Sequence, residues 1–331
     1  MNRGTRPAGP IVVTGACGLL GTELCLLLRS HGYAVVGVDD LSRYKLIGEE
    51  GTRRLEANAK EIETAGVNFF RMDVRLFVEQ RYMPADTAAI VHTAAQVCHS
   101  RRVDAPWDNI EVNYLQTNLI LNDARARNVS FLFNGSTKVL AHSEWPLNDD
   151  SPLGDRTPMT FFGATKMAAD VLAQQYGYTY GMTVGVMRPG CFTGARALAT
   201  EGQNWLPWLV HCNLTGRPFN LFGDGSQVRD VMHVGDLADA CLRWIEKPKA
   251  GVWAMGARTK NSISVNEAIE LVEKLTGKKT KVMAHPSRPG DMQYLVVGGE
   301  RFSHDYGWQP TKCLDAIVDE LVKSLRQGEL R

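Results

Sequence analysis

A chain of 331 residues is longer than one compact core usually occupies, so two domains, or one large domain carrying a lobe, are expected. A hydrophobic share of 44%, a charged share of 22% and 37 Lys and Arg against 36 Asp and Glu describe an ordinary globular chain of net charge +1, without a basic run. That balance excludes a nucleic-acid footprint built on bulk charge, and any anionic ligand has to be met by a few placed cations.

The opening MNRGTRPAGP lacks the apolar stretch of a secretory leader, and no apolar run approaches the ~18 residues of a membrane span. Cys17, Cys25, Cys98, Cys191, Cys212, Cys241 and Cys313 form no CxxC pair and leave an odd thiol, which argues against a disulfide framework and against a metal site. A reducing cytoplasm is the expected home, with no membrane and no nucleic acid as partner.

From Ile11 onward, short β-branched runs alternate with helical patterns. IVVTG (11–15) reads as a buried strand, GLLGTELCLLLRSHG (18–32) as a helix closed by Gly32, and AVVGVDD (34–40) as the next strand. The alternation continues through VNFFRMD (67–73), AAIVHTA (88–94), VSFLFNGS (129–136) and MTVGVMRPG (182–190), with helices near 106–127 and 157–178. Continuous apolar strands alternating with helices predict an α/β fold: a doubly wound parallel sheet covered on both faces. After Gly190 the regularity weakens. Residues 191–207 read as loop, 206–216 as a short helix, and 217–234 as two short strands around a Gly-Asp-Gly turn. Residues 234–256 return a helix and a strand to the main sheet, and 257–331 make a small lobe.

The first strand runs into TGACGLLG (14–21), which places Gly15, Gly18 and Gly21 at a strand-to-helix turn. Glycine lets the backbone turn tightly and approach a pyrophosphate, whose charge the helix N-terminus favours. Asp39 ends the second strand, where a carboxylate accepts hydrogen bonds from an adenosine ribose and repels a 2′-phosphate. That favours NAD over NADP, against the influence of nearby Arg43.

The GxxGxxG spacing and the segments downstream of it resemble the extended short-chain dehydrogenase/reductase family, in its nucleotide-sugar epimerase and dehydratase branch. The resemblance covers nearly the whole chain. It implies a Rossmann domain over 9–190 and 226–256 and a nucleotide-sugar substrate lobe over 191–225 and 257–331. RMDV is similar to the segment whose Asp73 and Val74 would meet adenine; HTAAQ (92–96) resembles the strand end that lines the cofactor at Ala94 and the substrate at Gln96; EVNYLQTNLIL (111–121) carries the family's Asn at Asn113. In FNGSTKVLAH (133–142) the catalytic Ser/Thr falls on Ser136, and in FFGATK (161–166) the catalytic Lys falls on Lys166, which would also bind the nicotinamide ribose. QVRDVMHVGDLADA (227–240) and SRPGD (287–291) put Arg229 and Arg288 where the family grips a nucleotide diphosphate, and Cys191 falls on a substrate-contacting position. A homodimer is implied as well.

Within the family the nearest likeness is to the CDP-tyvelose (CDP-paratose) 2-epimerases, through AAQVCHSRRVDAPWDNIEVN (94–113), the Lys-Val of STKV and TGRPFNLFGDGSQVRDVMH (215–233). A UDP-sugar 4-epimerase is the alternative. A 4,6-dehydratase fits less well, because that branch follows its Ser/Thr with Asp-Glu where this chain has Thr137-Lys138. Two features depart from the pattern. Leu140-Ala141 replaces the usual Tyr-Gly, and Phe162 stands where the family's YxxxK motif has the Tyr that accepts the substrate proton. Phe supplies shape without a proton acceptor. Its presence leaves open a natural variant with another base, His99 after the fourth strand being one, an introduced Tyr-to-Phe change, or a catalytically silent NAD and nucleotide-sugar binding protein.

Overall fold

The computed structural model describes residues 8–42, 44–97, 106–141, 143, 146–154, 160–201, 204–288 and 291–329, with backbone alone for 44–50 and 328–329. In chain order the strands are β1 (Ile11–Thr14), β2 (Val35–Val38), β3 (Asn68–Phe70), β4 (Ala89–His92), β5 (Ser130–Asn134), β6 (Val184–Pro189), β7 (Cys191–Thr193), β8 (Phe219–Phe222), β9 (Val228–His233), β10 (Gly251–Met255), β11 (Ser262–Ser264), β12 (Val282–His285) and β13 (Tyr294–Leu295). The helices are α1 (Leu19–Ser30), α2 (Tyr44–Thr64), α3 (Val74–Glu79), α4 (Pro106–Ile110), α5 (Gln116–Arg127), α6 (Phe161–Tyr180), α7 (Trp205–Thr215), α8 (Val234–Glu246), α9 (Val265–Thr276), α10 (Arg301–Tyr306) and α11 (Leu314–Glu329). None of the described helices is long and apolar enough to cross a membrane.

The chain divides into two compact units. The first, residues 1–139, 160–188 and 237–253, is built on a seven-stranded sheet of order β10-β6-β5-β4-β1-β2-β3. β1 pairs in parallel with both β2 and β4, so the strand order reverses there, and the C-terminal ends of β1 and β4 lie side by side at the switch point where open α/β sheets bind their ligands. Strands buried on both faces explain the unbroken apolar runs of the sequence: all four residues of β1, β2 and β4 are buried. Val12, Val36, Ile90, Phe131 and Phe133 join Ala169 and Ala173 of α6 in one core.

The expected doubly wound sheet is present, and two helices differ in detail. The single helix expected near 106–127 is interrupted by a π-helical turn at Glu111–Leu115, a one-residue insertion that re-aims the side chains around it. α2 occupies a stretch that strand and turn patterns left unassigned; Leu55, Asn58, Ala59 and Ile62 form its buried face at helical spacing.

The second unit, residues 140–159, 189–236 and 254–331, centres on β9. β11 lies antiparallel along Val228–Asp230, while β13 and β7 pair in parallel with its first and second halves. β8 pairs with β12 instead of β9, so the two strands flanking the Gly-Asp-Gly turn do not form a hairpin. The turn docks on α9: Asn266 Nδ2 donates to the Asp224 carbonyl at 3.0 Å, and Gly223 and Gly225 take φ of +85° and +82°. Residues 140–159 and 226–236, which the sequence groups with the nucleotide-binding domain, cluster here because β9 has its partners in this unit and Leu147 bridges to Val297.

Candidate functional site

The glycine turn after β1 is dictated by close approach. Gly15 has φ +69°, and a Cβ there would stand 2.6 Å from the Ala94 nitrogen beyond β4. A Cβ on Gly21 would meet the Gly15 carbonyl oxygen at 2.0 Å, and one on Gly18 would lie 3.1 Å from the same oxygen. The turn feeds α1, a helix of 12 residues whose cap, Gly18, offers no side-chain acceptor, so its first-turn N–H groups are available to an anion. A turn with no room for a side chain at Gly15 or Gly21, at a helix N-terminus, fits a dinucleotide pyrophosphate.

Asp39 shapes this turn directly. Its Oδ2 accepts from the Cys17 amide at 2.9 Å and its Oδ1 from the Leu41 amide at 2.8 Å. From α2, Asn58 Nδ2 donates to the Cys17 carbonyl at 2.9 Å. The Cys17 thiol is pushed far up, first by burial and then by the Asp39 charge, so it acts as packing.

Asp73 caps α3: its Oδ1 accepts from the Arg75 amide at 2.8 Å and its Oδ2 from Gln116 Nε2 at 2.7 Å. Its carboxylate is thus fixed beside the first turn that begins with buried Val74.

Beyond β4, one hydrogen-bond network ties the strand end to α6. Thr117 Oγ1 donates to the Asn113 carbonyl at 2.8 Å, so towards His92 Nε2, 2.9 Å away, it accepts. The imidazole proton therefore sits on Nε2, and Nδ1 accepts from Thr14 Oγ1 at 2.7 Å. Burial, then the charge of Lys166, lowers His92 to about 3, which keeps it neutral. Asn113, placed by the π-helical turn, pairs with both backbone groups of Gln96, at 2.8 and 3.0 Å. Its Nδ2 also donates to Thr165 Oγ1 at 3.1 Å, and that hydroxyl donates to the Phe161 carbonyl at 2.7 Å. Ala94, Gln96 and the first turn of α6 are thereby held in one frame.

Ser136 follows β5, is 9% exposed, and its Oγ accepts from the Lys138 amide at 3.1 Å. The short helical turn Thr137–Val139 packs on α6. α6 begins at an N-cap, Thr160, whose Oγ1 accepts from the Gly163 amide at 3.1 Å. This sets Phe162, 7% exposed, in the first turn, with Lys166 one turn on. Lys166 is fully enclosed: Nζ donates to the Asn134 carbonyl at 2.6 Å and lies 4.3 Å from the Phe133 ring centroid. Burial lowers its ammonium to about 7, opposed by the Asp170 carboxylate. Asp170 is held by a bidentate pair with Arg188, at 2.8 and 2.9 Å, both residues being buried.

In the second unit, Arg229 is 8% exposed, donates to its neighbour's carbonyl and pairs with Asp291 Oδ1 at 2.8 Å. The Asp291 amide donates to the Arg288 carbonyl at 3.1 Å, so one turn carries both Arg288 and the Arg229 partner. The exposed Arg288 guanidinium lies 3.7 Å from the Phe222 centroid, and Phe222 stacks on His285. Cys191 starts β7 in register with Val231 of β9. Arg43, Cys98 and His99 lie outside the described residues.

His92, Asn58, Thr165 and the Asp170–Arg188 pair were not singled out in the sequence. The available signal was a polar residue on an apolar face, as Asn58 is between Leu55 and Ile62; His92, inside an apolar strand run, carried the same signal.

Known proteins share this arrangement of sequence and fold. A CDP-paratose 2-epimerase from Salmonella typhi is 26% identical, covering 91% of this chain and 94% of its own length. A UDP-glucuronate 4-epimerase from Thermodesulfobacterium geofontis is 27% identical, covering 96% and 99%. Among solved structures, a Tyr-to-Phe mutant of the UDP-glucuronic acid 4-epimerase from Bacillus cereus, in complex with UDP-4-deoxy-4-fluoro-glucuronic acid and NAD, superposes with a TM-score of 0.86 at 23% identity, over 96% of this chain and 99% of that one. The family model of NAD-dependent epimerases and dehydratases matches residues 11–256, from β1 through β10 and therefore across the glycine turn, Ser136 and Lys166, and the chain belongs to that family.

Proposed function

We propose that the chain is an NAD-dependent nucleotide-sugar epimerase acting through a transient keto sugar, with a CDP-sugar and its C2 centre as the favoured substrate. The observation that carries this reading is the buried Lys166, aimed at the end of β5 one turn after Phe162 and adjoining the turn that bears Ser136. When bound, NAD supplies a hydride acceptor that returns the hydride to the opposite face. Gly15, Gly18, Gly21, Asp39, Asp73, Val74, Ala94, Asn113 and Lys166 would hold it. Ser136 would hydrogen-bond the reacting hydroxyl and the Lys166 ammonium would hold the ribose, while Phe162 would shape the pocket without taking a proton, so that the hydroxyl proton passes to water and turnover is impaired. Gln96 and Cys191 would line the sugar. Arg229 and Arg288 would meet the diphosphate with charge-assisted hydrogen bonds.

A UDP-sugar 4-epimerase is the second reading, favoured by UDP-sugar 4-epimerase relatives as similar to this chain as the CDP-paratose one. A silent binding protein is the third, favoured by Phe162. A homodimer belongs to the proposal, supported by the exposed Phe161, Val171 and Tyr178 of α6. So does a cytoplasmic location, supported by free thiols at Cys17, Cys25, Cys212, Cys241 and Cys313.

Calorimetry with the two dinucleotides tests the cofactor site. Asp39 disfavours a phosphate at the 2′ position, so NAD should bind at least about tenfold more tightly than NADP; equal affinities would remove Asp39 from the ribose. Arg229→Ala and Arg288→Ala should each weaken a CDP- or UDP-sugar by about 10- to 100-fold, the loss of one charge-assisted bond, and leave NAD affinity unchanged. Unaltered nucleotide-sugar affinity in both variants would displace the diphosphate site.

A further inference from the structure

Asn58 lies on α2, outside the glycine motif, and is 3% exposed. Its neighbours on that buried face are Leu55, Ala59 and Ile62. Its Nδ2 donates to the Cys17 carbonyl at 2.9 Å, 41 residues away in sequence. The same residue's amide donates to Asp39 Oδ2 at 2.9 Å, and the amide of Gly18 donates to the Gly15 carbonyl at 3.0 Å. One residue earlier, the Ala16 carbonyl accepts from Thr22 Oγ1 at 3.1 Å.

Both carbonyls at the crest of the turn are therefore bound by donors from the protein. A carbonyl oxygen swung towards a pyrophosphate would repel it, and the peptide that presents it would spoil the start of α1. Thr22 restrains the first carbonyl from within α1. The second has its restraint in α2, which follows β2 and Asp39. The side chain that meets the ribose and the side chain that fixes the turn thus belong to one β2–α2 unit.

We propose that Asn58 is a positioning residue for the dinucleotide: by holding the Cys17 carbonyl it keeps the pyrophosphate turn in its binding conformation. This rests on the cofactor reading above, and the experiment separates the two. The full-length chain, freed of any carried nucleotide, is compared with Asn58→Ala and with Asn58→Leu, which restores the volume without a donor. NAD affinity is measured by calorimetry, and amide hydrogen exchange is followed at residues 15–22 and in β4 and β5.

Both variants should bind NAD about tenfold more weakly, with faster exchange confined to the glycine turn and unchanged protection of β4 and β5. The affinity of a CDP- or UDP-sugar should stay at the level of the parent chain. Wild-type NAD affinity in Asn58→Leu would show that the residue only fills space and would overturn the proposal. Equal acceleration of exchange in β4 and β5 would overturn it too, by making the effect global. A parent chain that binds no NAD would sink the cofactor reading together with this inference.

Discussion

Phe162→Tyr is expected to raise the rate of sugar epimerisation by about 10² to 10⁴, the usual contribution of a positioned general base. Oxidation of a sugar alcohol sends the carbon-bound hydrogen away as hydride, and the hydroxyl proton needs an acceptor. Phe162 sits in the first turn of α6, fixed by the Thr160 cap, with Lys166 on the following turn. A phenol placed there would have its pKa lowered by the cationic form of Lys166. The change adds one oxygen to a ring already 7% exposed, so nucleotide-sugar affinity should change little. Equally fast turnover by both chains would mean that another group accepts the proton, with His99 first to be replaced.

The largest expected effect on stability comes from Asp170→Ala. It leaves the Arg188 guanidinium, 7% exposed, without its bidentate partner, and the Gln174 amide without an acceptor at 2.6 Å. Removing one member of a buried pair costs about 3–5 kcal/mol, because an uncompensated charge stays behind. The same substitution removes the carboxylate that opposes the lowering of Lys166. The double change Asp170→Leu with Arg188→Met should recover most of the loss, since burying neither charge also avoids the desolvation of both. Urea unfolding of the three chains checks this, and a single variant as stable as the parent would show that the pair contributes nothing.

The sheet was legible in the sequence because strands buried on both faces leave continuous apolar runs, as β1, β2, β4 and β6 do, each buried at every residue. The glycine turn was legible because its residues are specified by close backbone contact, as Gly15 against Ala94 shows. Pairing in the second unit was not. β13 has only two residues and β8 buries only one of its four, so neither carries a pattern that states a partner, and β8 finds its partner in β12, some sixty residues away. The π-helical turn at Asn113 also leaves no mark, because one inserted residue barely disturbs helical periodicity over that length. Candidate site residues were read by type and spacing, whereas His92 and Asn58 act through partners far along the chain, Thr14 and Cys17. Such contacts exist only after folding.

An epimerase of the proposed kind inverts a sugar carbon by removing a hydride and returning it to the same carbon. The most direct test incubates the chain and Phe162→Tyr in deuterated water with CDP-paratose or CDP-tyvelose, and separately with UDP-sugars, while NMR follows configuration and isotope content. The expected result is an epimer formed faster by Phe162→Tyr, with no solvent deuterium at the inverted carbon. Deuterium at that carbon would contradict hydride return, and the absence of any epimer from either chain on every nucleotide sugar would assign the fold to binding instead of catalysis.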